Sequence, residues 1–221
     1  VGFGSLGANT TASYNTAMGY NSLVLNTTGA SNVAVGALAL DANTTGALNT
    51  AVGYTALGAN TTADNNTAFG YAALGATTTG GTNTAVGKYS LDANTTGTGN
   101  TALGYNSLSA QTTVANTTAI GLNALSTNTT GANNLAVGVN SLLVCTTGAQ
   151  NIALGPSAMV ALTTGTYNVA VSQALAGTTT GVSNVGIGWG ALHYGSTCDR
   201  NTAVGRSAGQ SITTGDNNIF V

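Results

Sequence analysis

A unit of 17 residues recurs along the whole chain, and that period restricts the fold more than any other feature. One copy reads Asn49-Thr50-Ala51-Val52-Gly53-Tyr54-Thr55-Ala56-Leu57-Gly58-Ala59-Asn60-Thr61-Thr62. Units begin at Asn15, Asn32, Asn49, Asn66, Asn83, Asn100, Thr117, Asn134, Asn151, Asn168, Asn184 and Asn201. Only the unit from Asn168 is shorter, with 16 residues. Positions are counted below from this first Asn. The third is Ala in every unit except at Gly186, and the fourth is always apolar, from Met18 and Val35 to Phe69 and Val204. The fifth is Gly except at Ser172, the ninth is Leu except at Met159 and Gly209, and the fourteenth is always Thr. No composition break divides the array, so residues 1–221 read as one continuous, uncapped solenoid, a segment of a longer fibre or a stacking subunit.

A helical hairpin does not suit this unit. Several Gly, Thr and Asn residues per copy cost a few kcal/mol relative to Ala in a helix, and no apolar stripe of period 3.6 is long enough. Asn-Thr-Ala-Val-Gly instead alternates as a short strand does, with β-branched residues at the second and fourth positions. Asn-Thr-Thr-Gly then supplies turn chemistry. The expected fold is all-β, a parallel β-solenoid (β-roll) of about 13 coils. Stacking at about 4.8 Å per coil makes it roughly 60 Å long.

The second, fourth and ninth positions are expected to fill the interior, which places Val35, Leu40, Val52, Leu57, Phe69 and Leu74 inside. The third-position alanines Ala51, Ala68, Ala85, Ala102 and Ala119 then face outward, as a stripe of small residues suited to close approach of another chain. The alternative is an inverted coil, with Ala inside and the fourth position outside.

Composition excludes some functions. Only 4% of residues are charged, with 3 Lys or Arg against 5 Asp or Glu, too few cations to track a phosphate backbone. A hydrophobic content of 43% with a net charge of −2 argues against disorder. No apolar run approaches the roughly 18 residues of a membrane span, so neither nucleic-acid binding nor membrane insertion is expected.

The run Asn49-Thr50-Ala51-Val52-Gly53-Tyr54, with Ala56-Leu57 and a later Asn-Thr-Thr-Gly as at Asn43-Thr44-Thr45-Gly46, resembles the head repeats of trimeric autotransporter adhesins. It is similar also to repeats of bacteriophage tail-fibre and tail-fibre-like surface proteins. The resemblance covers essentially the whole chain as a repeat pattern. It implies left-handed parallel β-rolls wound as trimers that bind host or matrix surfaces. The 17-residue unit is longer than the usual adhesin-head repeat, and no coiled-coil stalk, membrane anchor or C-terminal chaperone-like domain is seen.

Residues that carry chemistry are scarce. Asp41 and Asp92 share the tenth position but lie three coils apart, about 14 Å, too far for paired-carboxylate catalysis. His193 stands near Trp189, Tyr194 and Asp199, a decorated coil more than a site. Zinc needs clustered Cys and His, and calcium solenoids carry Asp in every coil. No metal, cofactor or enzymatic activity is therefore expected. Cys145 and Cys198 are also three coils apart and are not expected to pair. Asn15, Asn32, Asn49, Asn66, Asn83 and Asn100, stacked in register, form an expected structural amide ladder. Thr28, Thr45, Thr62, Thr79, Thr96 and Thr113 form a candidate surface-binding or glycosylated ladder. The Asn-Thr-Thr triplets at Asn26, Asn43, Asn60, Asn94 and Asn128 also match the N-glycosylation pattern.

The expected function is that of a non-catalytic structural or adhesive segment of an extracellular fibre, on a cell surface or a virion. Its partners would be copies of itself, as a homotrimer or head-to-tail filament, and a host-surface receptor or glycan. The alternative is an ice-binding solenoid built on Thr. Its weakness is that adjacent Thr at positions thirteen and fourteen point to opposite faces, leaving one outward rank.

Overall fold

A computed structural model describes residues 2–221. The strands, of three residues each except the last, are β1 (Thr16–Met18), β2 (Val33–Val35), β3 (Thr50–Val52), β4 (Thr67–Phe69), β5 (Thr84–Val86), β6 (Thr101–Leu103), β7 (Thr118–Ile120), β8 (Leu135–Val137), β9 (Ile152–Leu154), β10 (Val169–Val171), β11 (Val185–Ile187), β12 (Thr202–Val204) and β13 (Ile219–Phe220). The fold is an all-β parallel solenoid with a repeat of about 17 residues, and no helix occurs among the described residues. It divides into two compact units, one ending at Ala115 and the other spanning Asn116–Val221. β1–β6 stack in the first and β7–β13 in the second, each strand parallel to the next and in register, as in Thr50↔Thr67, Ala51↔Ala68 and Val52↔Phe69.

Local conformation follows from the repeat. Positions two to four are extended, and each strand bonds alternately to the coils on either side. Thr50 N–H donates to Asn66 O at 2.8 Å, and Gly53 N–H donates to Val35 O at 2.8 Å. The chain then bends at Gly53, whose φ of 137° falls where side chains rarely go, and where a Cβ would strike the carbonyl of Gly70. Positions seven, nine and seventeen are left-handed in nearly every coil, for example Thr55 (φ 52°), Leu57 (φ 51°) and Asn65 (φ 60°). Asn tolerates that region best and recurs at the seventh position in Asn21, Asn106, Asn123 and Asn140. Leucine does not favour it. The ninth-position Leu is held there by complete burial of its side chain, which contributes about 1.5–3 kcal/mol over exposure.

The interior differs from the expectation. Leu40, Leu57 and Leu74 are fully buried as expected, but Val35, Val52 and Phe69 are not. Each of β1–β12 buries its central residue and turns the second and fourth positions outward, so Ala51 is fully buried while Thr50 and Val52 flank it half-exposed. The alanine stripe is therefore inside, and the inverted coil is the observed one. The reason is cross-section. First-position Asn, eighth-position Ala or Ser, ninth-position Leu and the twelfth-position side chain already fill the coil, leaving room opposite the Leu for a methyl group only. Where Ala gives way to Gly186, even a methyl would lie 3.1 Å from Ala174 Cβ and 3.2 Å from Leu175 Cγ.

The short coil also differs in detail. Ser172 N–H keeps its bond to Leu154 O at 2.7 Å, and Gly190 N–H donates to Gln173 O at 3.3 Å, the bond made elsewhere by a sixth-position carbonyl. Gln173 thus occupies the sixth place, and the missing residue is the left-handed seventh. Ser172 compensates by entering the left-handed region itself, at φ 67°.

Candidate functional site

Two columns of amides run inside the coils. Asn49 Oδ1 accepts from the backbone N–H of Asn66 at 2.9 Å, while its Nδ2 donates to Ala63 O at 2.8 Å. Asn15, Asn32, Asn66 and Asn83 repeat the pattern, and Asn100 N–H closes on Asn83 Oδ1 at 2.9 Å. These side chains chiefly satisfy backbone groups, and direct amide-to-amide bonds such as Asn83 Nδ2 to Asn66 Oδ1 at 3.2 Å accompany them. The second column, at position twelve, was missed from the sequence as a structural element. Asn43 Nδ2 donates to Asn26 Oδ1 at 2.8 Å and Asn60 Nδ2 to Asn43 Oδ1 at 2.7 Å. Asn26, Asn43, Asn60, Asn94 and Asn128 are all fully buried. That corrects their reading as glycosylation acceptors, since the folded chain offers none of these amides to an enzyme. Where Thr77 follows Asn60, the Asn60 Oδ1 lies buried without a hydrogen bond.

The threonines split by position. Thirteenth-position hydroxyls donate to the carbonyl of their counterpart in the next coil, Thr27 to Thr44 at 3.0 Å and Thr44 to Thr61 at 3.0 Å. Thr28, Thr45, Thr62, Thr79, Thr96 and Thr113 are exposed and form a single outward rank.

The main outward feature is the strand face. Fourth-position side chains stand in a row in each unit, with Met18 54%, Phe69 55% and Leu103 40% exposed in the first. In the first unit the row beside it is mostly Thr, as at Thr50, Thr67, Thr84 and Thr101. In the second unit both rows are aliphatic over four coils: Leu135, Ile152, Val169 and Val185 beside Val137, Leu154, Val171 and Ile187. Sixth-position aromatics form another outward column, with Tyr54 and Tyr71 stacked at 5.4 Å and Lys88 Nζ lying 5.3 Å from the Tyr71 ring centre.

Titratable groups stay scattered. Burial pushes the Asp41 and Asp92 carboxyls up, against backbone hydrogen bonds that pull them down. His193 meets Tyr194 edge-on at 4.7 Å, whereas Trp189 donates to Gln173 Oε1 at 3.0 Å and lies under Arg206. Asp199 Oδ1 accepts from Val182 N–H at 2.7 Å, so the four residues of that coil do not converge. Among the described residues, no three His, Cys, Asp or Glu side chains come together as metal ligands. Both cysteines are buried and free. Burial pushes the Cys145 thiol up to about 11, and it raises Cys198 too. Cys198 stands at the fifteenth position opposite Gly195, and a Cβ at Gly195 would lie 2.6 Å from its sulfur. Its side chain thus fills the space of the absent twelfth-position one.

Comparison of the chain with protein-family models, with curated proteins and with solved structures finds no match in any of the three.

Proposed function

We propose that this chain is a structural and adhesive segment of an extracellular fibre, cell-borne or virion-borne, that self-associates through its strand faces. The observation that carries the reading is the pair of outward rows in the second unit, eight aliphatic side chains from Leu135 to Ile187 with no charge among them. Monomeric proteins rarely expose contiguous apolar patches above a few hundred Å². Identical copies laid parallel repeat at one coil spacing, so a contact made in one coil recurs in the next, which suits a closed symmetric trimer. Head-to-tail stacking is the other arrangement the repeat accommodates. The alanines, buried inside the coils, offer no such surface, and the outward second- and fourth-position rows take its place. A scarcity of Lys and Arg and a bonded ladder within each unit suit exposure to proteases outside the cell. The ice-binding reading has less support, because the thirteenth-position hydroxyls are spent on backbone carbonyls and one Thr rank remains.

Sedimentation tests it. The wild-type chain is expected to self-associate at micromolar concentration, and the double variant Val137→Arg, Leu154→Arg to sediment as a monomer with an unchanged circular dichroism spectrum. A monomeric wild type, or an oligomer indifferent to both arginines, overturns the reading.

A further inference from the structure

Four of the 8 tyrosines stand in one unbroken run on the outside of the first unit. Sixth-position Tyr54 and Tyr71 stack with ring centres 5.4 Å apart and planes 19° from parallel. Tyr89, the left-handed seventh residue of the next coil (φ 58°), meets Tyr71 edge-on at 5.4 Å. It also meets Tyr105, at 6.4 Å and 68°. All three separations fall within the range of about 4.5–7 Å at which aromatic rings touch. Each phenol of the run thus has another phenol as its neighbour. The other four tyrosines do not. Among the described residues Tyr20 stacks on Phe3, Tyr194 meets His193, and neither Tyr14 nor Tyr167 touches a ring.

Phenols in contact can undergo a change that a lone phenol cannot. A one-electron oxidant takes an electron and a proton from each of two tyrosines, leaving two phenoxyl radicals whose unpaired spin is shared with the carbons ortho to oxygen. Two such carbons join, and the ring hydrogens at the new bond move to the oxygens and restore both phenols. Hydrogen peroxide, acting through a haem peroxidase, accepts the two electrons and two protons and leaves as two waters. The chain loses two hydrogen atoms in all. Tyr71 is 45% and Tyr105 48% exposed, so an oxidant in solution reaches the run. Neither the stacked nor the edge-on arrangement already sets two ortho carbons against each other. Exposed side chains turn on the picosecond to nanosecond scale, however, so rings held in contact reach that arrangement while a radical persists. Contact decides over exposure here. Tyr14, Tyr167 and Tyr194 are more exposed than any ring of the run but lack a partner tyrosine in their own chain.

We propose that Tyr54, Tyr71, Tyr89 and Tyr105 form an oxidative cross-linking site, at which peroxidase chemistry joins neighbouring coils of one chain through a dityrosine bond. Tyr71, in contact with a tyrosine on either side, is its centre. The site goes beyond the proposed function and rests on neither adhesion nor self-association, since both joined rings belong to one chain. The folded chain is treated with a haem peroxidase and hydrogen peroxide, and the band of single-chain mass is taken from a denaturing gel, apart from any chains joined to one another. It should show dityrosine fluorescence and a mass lower by two hydrogens, which sets coupling apart from oxygen gained at exposed Met18 or Trp189. Trypsin cuts after Lys88. A Tyr54–Tyr71 bond therefore stays within the N-terminal peptide, whereas a Tyr71–Tyr89 bond holds two peptides together. Tyr71→Phe keeps the ring and should remove more than half of the product. Tyr71→Phe with Tyr105→Phe leaves no two tyrosines in contact and should abolish it, while Tyr167→Phe should change nothing. Oxidation in urea, where the contacts are gone, should give little in-chain product. A folded wild type that forms no in-chain dityrosine overturns the proposal. So does an equal yield from the double variant or from the chain in urea, or a set of bonds that maps outside the run.

Discussion

At the scale of single residues, the distinction between inside and outside rests on size more than on hydrophobicity. Ala51 and Val52 are neighbours in one strand, and alternation alone cannot say which faces the core. The answer was present in the repeat. The third position keeps one small side chain in nearly every unit, whereas the fourth ranges from Val52 through Phe69 to Met18. A packed interior does not accept such a spread of volumes at one place, and a surface does. Ranking positions by apolarity put Val and Phe inside, and ranking them by constancy of volume would have put Ala there. The consequence is measurable. Ala51→Leu forces three extra carbons into a filled cross-section and should cost about 1–3 kcal/mol or more. Val52→Asp on the half-exposed face should cost under about 1 kcal/mol in the monomer. Urea unfolding at concentrations where both variants are monomeric checks this. Greater loss in Val52→Asp would restore the original interior.

At the scale of one coil, strand, turn and period were all legible from Asn-Thr-Ala-Val-Gly and Asn-Thr-Thr. The left-handed residues at positions seven and nine were not, because Leu57 and Thr55 carry no local preference for that region. They adopt it because closing the coil and burying the leucine require it. The same gap hides from the sequence that the residue missing from the short coil is the left-handed seventh. Regular coils close that corner with a bond from the eighth-position N–H to the fifth-position carbonyl, as Ala158 to Gly155 and Ser141 to Gly138, each at 3.3 Å. Among the described residues, Ala174 N–H makes no such bond to Ser172, although Leu175 N–H rejoins the ladder at Ala191 O, 2.9 Å away. Hydrogen exchange should therefore be faster at Ala174 than at Ser141 or Ala158, with Ser172 and Leu175 protected like their counterparts. Equal protection at all three eighth-position amides would remove the distinction.

At the scale of the whole molecule, stability comes from repetition of bonded coils, with very little from charge. The candidate surfaces were only partly readable. The exposed Thr rank was visible as an invariant fourteenth position, but the aromatic column depends on which sixth-position rings stack, and that is a property of side chains in space. Charge scarcity leaves pH to act through few groups. Asp41 and Asp92 are pushed up by burial, so the folded chain favours their neutral forms. As pH rises through the interval between the ordinary carboxylate value and the raised one, the unfolded chain releases protons that the folded chain retains. Stability contributed by these two groups is thus full at low pH and is lost as pH rises through that interval. Replacing both by the neutral isostere removes the cost of charging them while leaving an oxygen to accept the backbone amides. Asp41→Asn with Asp92→Asn should therefore melt above the wild type at pH 7 and together with it at pH 3. Calorimetry at the two pH values decides the matter. A variant that melts below the wild type at pH 7, or above it by the same margin at pH 3, would show that burial of these carboxyls does not set the pH response.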